Sequence, residues 1–117
     1  SAYLIVSDAD RTIDFLRRTF DGSPLRRIER EDGSVMHAEV RIDDSVVMLG
    51  VPQGDPTPTP VHVHVYVPDV DATYRRALDA GAEPMQAPMH QDDPDRRAGV
   101  VGPDGHTWWI STQVEEA

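Results

Sequence analysis

Three groups of side chains in this sequence have types and spacings suited to chemistry. His62 and His64 alternate with valines and are followed by Tyr66, so one strand face would carry two imidazoles and a phenol. His37, Glu39 and Arg41 repeat the same spacing on an earlier run. His37, Glu39, His62 and His64 are together the ligand types of a divalent metal site. A carboxylate beside an imidazole also sets its tautomer and basicity, as a general base requires. The simpler account of both groups is hydrogen-bonded or solvated polar side chains on an open sheet face, with Arg41 joining His37 and Glu39. The third group is Trp108-Trp109. Adjacent strand residues point to opposite faces, so one indole belongs to the core and the other offers a flat stacking surface. No serine has the partners of a Ser-His-Asp arrangement. His106, in the turn Pro103-Asp104-Gly105-His106, reads only as a turn or strand-start residue.

Composition narrows the chemistry further. The 117 residues carry 21 acidic and 11 basic side chains, a formal charge of −10, and every basic residue is arginine. Without cysteine there is no disulfide, thiolate nucleophile or Cys-ligated metal. Without lysine there is no Schiff-base or phosphate-loop lysine. Acidity and scattered Arg-Arg pairs exclude a phosphate-backbone binder, so no nucleic-acid partner is expected. No apolar run approaches the ~18 residues of a membrane span and no signal-peptide pattern opens the chain, so a cytoplasmic domain away from membranes is expected. The acidic field would favour a cation among possible ligands.

The elements that must position these groups fall into two halves of a single domain over 1–117. Val51–Pro60 carries four prolines and cannot be a helix or a central strand. Module one is therefore 1–51, the linker 52–60 and module two 61–117. Each half reads strand, helix, strand, strand, strand. In the first, Tyr3–Val6 precedes a helix capped by Asp8 or Asp10 and ended by Gly22 and Pro24, with Ile13, Leu16 and Phe20 as its apolar stripe. An Asp32-Gly33 turn then leads to Met36, Ala38, Val40 and Ile42, expected on the helix side. In the second, Val61–Val67 precedes a helix from about Asp69 to Ala80, and turns follow at Asp92–Asp95 and Pro103-Asp104-Gly105. An offset of 61 superposes the halves, pairing Val6 with Val67, Asp8 with Asp69, Asp10 with Asp71, Thr12 with Thr73, Val40 with Val101 and Asp43 with Asp104. The fold expected is α+β: two βαβββ modules whose mixed sheets, helix on one face, enclose a cleft with the other. The proline-rich hinge would let the halves pair within one chain or exchange between two, as a homodimer with or without domain swapping.

Tyr3–Asp8 (YLIVSD), Val35–Leu49 (VMHAEVRIDDSVVML) and Pro103–Glu115 (PDGHTWWISTQVE) resemble the vicinal oxygen chelate superfamily of glyoxalases, extradiol dioxygenases, and fosfomycin- and bleomycin-resistance proteins. Among these the chain is most similar to small glyoxalase-like proteins of the phosphonate-operon type. The resemblance spans both halves and implies the paired-module fold. It implies metal ligands at positions that here hold Ser1, Met48, His62 and Trp109, of which only His62 is a ligand type for hard divalent ions. The implied cleft lining is Tyr3, Ile5, Val46, Met48, His62, His64, Tyr66, Thr107, Trp109 and Ser111, with His37, Glu39 and Arg41 as polar anchors. The expected function is metal-independent binding of an aromatic or planar small molecule, as in antibiotic sequestration, with no cofactor. The competing expectation is a glyoxalase-like metalloenzyme, lyase or dioxygenase in type, with its divalent metal moved to His37, Glu39, His62 and His64.

Overall fold

The computed structural model describes residues 2–54, 60–90 and 96–112, so the linker segment 55–59, the turn expected at Asp92–Asp95 and Ser1 lie outside the described residues. Module one runs β1 (Ala2–Ile5), α1 (Ala9–Phe20), β2 (Ser23–Glu29), β3 (Val35–Ile42) and β4 (Ser45–Gly50). Module two runs β5 (His62–Tyr66), α2 (Val70–Asp79), β6 (Glu83–His90), β7 (Arg96–Val101) and β8 (Thr107–Thr112). The sheets have the orders β1-β4-β3-β2 and β5-β8-β7-β6. In each the first strand runs parallel to the last and the other pairings are antiparallel. The fold is α+β with two similar modules.

Residues matched by the offset do matching work. The Asp8 and Asp69 carboxylates cap the two helices, accepting from the Arg11 and Ala72 backbone N–H groups at 3.1 and 3.0 Å. Asp10 and Asp71, two residues further on in the first turn, each receive an arginine from their own sheet, Arg27 and Arg96 respectively. Thr12 and Thr73 are both buried. The correspondence shifts on one hairpin. Glu39 sits opposite Met48, but Gly99 sits opposite Trp109. The β6–β7 hairpin therefore follows an offset of 60, not 61. The two-residue Asp43-Asp44 turn of module one is replaced by a longer loop over 102–106. Val101 is consequently not the structural counterpart of buried Val40.

Two local expectations change. The left-handed residue that ends α1 is Asp21 (φ 56°), not Gly22. Gly22 is needed for contact, because a Cβ there would come within 2.8 Å of Val40. Met36, expected against the helix with Ala38, Val40 and Ile42, is 43% exposed because it lies at the strand end.

Both helices pack against each other, and one continuous core joins the modules. At its centre Trp108 of β8 is fully buried against Phe15 and Phe20 of α1, with ring centroids 6.0 and 5.7 Å apart. His106 also ties the modules, which the turn motif did not foretell. It is buried, its Nδ1 accepts from the Val61 backbone N–H (3.1 Å), and its Nε2–H donates to the Ile5 carbonyl (2.9 Å). The first bond requires a lone pair on Nδ1, so the proton is on Nε2. Asp104 adds a second link, accepting from the Thr12 hydroxyl and the His106 N–H.

Replacing His106 by alanine leaves the partly buried Val61 N–H and Ile5 carbonyl without their partner. The expected loss is about 1–3 kcal/mol for each group that water cannot reach. Urea unfolding of His106→Ala checks this, with His106→Gln expected to fall in between.

The Asp71 carboxyl is held below its ordinary value first by the Arg96 hydrogen bonds and then by that arginine's charge. A carboxylate depressed in the folded state stabilises above its unfolded pKa of about 3.9, and that contribution fades as pH falls through the lower folded value. In Arg96→Ala, an NMR titration of Asp71 should move up toward the ordinary carboxylate range, and the acid-sensitive part of the unfolding curve should shrink.

Candidate functional site

With the helices occupying one face of each sheet, strand alternation turns a defined set of side chains toward the other. In sheet one the row Tyr3–Met48–Glu39–Arg26 crosses all four strands, and His37 lies one row further along beside Gly50. In sheet two the corresponding row is His64–Trp109–Gly99–Gln86, flanked by His62 and by Tyr66, Ser111 and Arg97. The neighbours Leu4, Ala38, Val40, Leu49, Val100, Trp108 and Ile110 are buried on the helix side.

A groove of about 530 Å³ lies between the two sheets, bordered by β1, the β3–β4 turn, the start of β4 and β5. It gathers Tyr3, His62, His64 and Tyr66 of the expected residues, with Val46. Its size lies within the range of small-molecule pockets. Tyr3 and Tyr66 are 54% and 59% exposed, so within one chain the groove is open. His37, Glu39, Met48 and Trp109 stand on the same sheet faces without lining it. Arg41 does not join His37 and Glu39. Its Nε donates to the Asp43 carbonyl at 2.8 Å, and it borders a second groove with Phe20, Asp21 and Tyr66.

Two aromatic side chains lie across glycines. A Cβ on Gly50 would collide with the Tyr3 hydroxyl, and one on Gly99 would meet Trp109 at 2.7 Å. Tyr3 also borders the His37 ring, centroid separation 6.2 Å. His37 Nε2 is 2.9 Å from Glu39 Oε2, and both side chains are partly buried. Sequence alternation placed Trp109 on this face, whereas neither glycine was singled out. A glycine inside a strand, with its sign of close approach, was the available signal.

The indole N–H of Trp109 donates to His62 Nδ1 at 2.9 Å. That N–H lies in the indole plane, and the two rings are parallel within 12° with centroids 6.2 Å apart. Rings joined edge to edge by such a bond form one extended flat surface, not a face-to-face stack. His64 adds a third ring, 24° from the indole plane at 6.4 Å.

This geometry tests the metal site that the resemblance implies. Ser1 is outside the described residues, Met48 supplies a soft thioether, and Trp109 has no lone pair to offer. Trp109 in addition occupies the free lone pair of His62, whose other nitrogen then carries a proton. These residues do not fit a hard divalent ion. The relocated set is divided between sheets, His37 with Glu39 on one and His62 with His64 on the other. Among the described residues no three His, Asp or Glu side chains are grouped to hold a metal.

Residues 2–110 match the family model of the Glyoxalase/Bleomycin resistance protein/Dioxygenase superfamily. An uncharacterized protein of Mycobacterium bovis is 41% identical over 131 aligned residues, covering 99% of this chain and 84% of the relative. Among solved structures, TioX from Micromonospora sp. ML1 is 28% identical with a TM-score of 0.81, covering 96% of this chain and 95% of that one. A bleomycin-binding protein complexed with bleomycin is 20% identical with a TM-score of 0.72, covering 97% of each chain.

Because Gly99 provides the floor for the indole, Gly99→Ala should push Trp109 off the sheet and break its bond to His62. The fold should survive, since the strain falls on a partly exposed ring. Tryptophan emission should change with urea midpoints nearly unmoved; an unchanged spectrum would contradict the seating.

Proposed function

The chain belongs to the glyoxalase/bleomycin resistance protein/dioxygenase superfamily, and within it we propose that this protein binds a planar aromatic small molecule without a metal, in the manner of antibiotic sequestration and self-resistance. The observation that carries the reading is the open groove walled by Tyr3, His62, His64 and Tyr66 and continued by the flat Trp109 indole. Ring faces of this kind attract planar ligands by dispersion and quadrupole contacts. The poor fit of Met48 and Trp109 to a hard ion removes the usual basis for metal chemistry at these positions. The bleomycin-binding protein has the same fold and takes an antibiotic ligand, which agrees with the reading without carrying it.

The reading includes a homodimer in which a second copy covers the helix-free faces. Exposed Tyr3 and Tyr66 support it, since open apolar patches mark contact surfaces. The proline-rich linker supports exchange of modules between copies. Such a binder would act in the cytoplasm of a bacterium; relatives occur in mycobacteria, and no helix among the described residues is long and apolar enough to cross a membrane.

A second reading, a glyoxalase-like metalloenzyme, is favoured by one observation, the 2.9 Å His37–Glu39 contact that would orient an imidazole base. Its metal would have to bring that pair together with His62 and His64.

Fluorescence titration with a panel of planar antibiotics, bleomycin included, in the presence of EDTA tests the binding reading. At least one compound should bind, and Trp109→Ala should weaken it about tenfold, the equivalent of about 1.4 kcal/mol. Stoichiometric zinc, nickel or iron in protein purified without chelator, absent from a His62→Ala, His64→Ala variant, would decide for the enzyme.

A further inference from the structure

The His62–Trp109 contact has a chemical direction. Accepting the indole proton leaves His62 with its own proton on Nε2. No hydrogen bond within the described residues engages that Nε2–H, and His62 is exposed at the groove wall. The indole spans the sheet, its benzo ring against Gly99 on the far side of β8 and its N–H toward His62. His64, in register with Trp109, keeps a third ring beside it.

We propose that His62 and Trp109 work as one rigid recognition surface: the indole supplies a face for a planar ring and the His62 Nε2–H supplies a hydrogen-bond donor at its rim. The ligand class that satisfies both is a planar ring system with an acceptor on its edge, a carbonyl or an unprotonated ring nitrogen. This rests on the small-molecule reading above and adds the polarity of the ligand. An organic cation, which the acidic composition alone would favour, finds a donor here where it would need an acceptor. Trp109 is a positioning residue for His62 as well as a contact surface.

Two measurements test this. The first is the nitrogen-15 NMR spectrum of the histidine side chains at neutral pH. His62 should show an unprotonated Nδ1 and a protonated Nε2, and Trp109→Phe, which keeps a flat ring but removes the donor, should return it to a mixture of tautomers. A His62 spectrum indifferent to Trp109→Phe would overturn the proposal.

The second is NMR titration with three probes of similar size: coumarin, which has an edge carbonyl, naphthalene, which has none, and the N-methylquinolinium cation. Coumarin should bind about 3- to 10-fold more tightly than naphthalene, as one neutral hydrogen bond allows. His62→Phe should erase that preference while naphthalene still binds. Equal affinity of coumarin and naphthalene, or tightest binding of the cation, would sink the donor assignment and leave the small-molecule reading standing. Failure of all three to bind the parent would overturn both.

Discussion

The contact on which the arrangement depends is the burial of Trp108 against Phe15 and Phe20. A four-stranded sheet with a single helix has two faces and only one cover. By sending α1 of module one against β8 of module two, the chain buries both helix-side faces in one core. That choice leaves the opposite faces available for other work. It also sets the site, because Trp109 follows Trp108 on the same strand and must point the other way. The indole that carries the proposed function is thus one peptide bond from the indole that anchors the fold, and the site inherits the rigidity of the core. His106, at the entrance to the same strand, binds Ile5 and Val61, the end of one edge strand and the start of the other. The groove opens between those two strands.

Much of this was readable from periodicity. Alternation along β3, β5 and β8 sorted helix-side from open-face residues, and Ala38, Val40, Trp108 and Ile110 are buried as that alternation requires. A cap at Asp8 or Asp10 followed from helix chemistry, the structure using Asp8, and the match of Asp10 with Asp71 followed from the repeat. What escaped was set by contacts distant in sequence. Nothing local distinguishes His106 from a turn histidine, since its partners lie 101 and 45 residues away. Phe15 was missed because α1 meets a second module as well as its own sheet, which widens its buried stripe. Arg41 was grouped with Glu39 by strand parity alone, whereas the positive φ of Asp43 turns a carbonyl within its reach.

The acidity of the chain also has local explanations. Asp8 and Asp69 cap helices, Asp10 and Asp71 hold arginines from the sheets, and Asp104 accepts two bonds at the module junction. Asp32 closes the β2–β3 turn, where the Ser34 hydroxyl and backbone N–H hold its carboxyl below the usual range. Each is a place where an N–H, hydroxyl or guanidinium asks for an anion. These aspartates are therefore accounted for by turn, helix-start and module-junction chemistry, with no ligand required.

The one-residue shift of the β6–β7 hairpin bears on both the implied metal positions and the proposed ring-binding surface. In module one, Glu39 lies beside Met48; at the same place in module two the shift sets Gly99 beside Trp109. Any side chain there would collide with the indole within 3 Å. With glycine, Trp109 can lie flat across β7 and reach His62 on β5. Once it does, the remaining imidazole of the implied metal set no longer has a lone pair to give. Two tryptophan contacts, one to a backbone and one to a histidine, thereby remove a metal ligand and create a flat surface. A carboxylate at 109 would reach neither Gly99 nor the plane of His62 in this way, so the metal-binding and ring-binding arrangements exclude one another at this position.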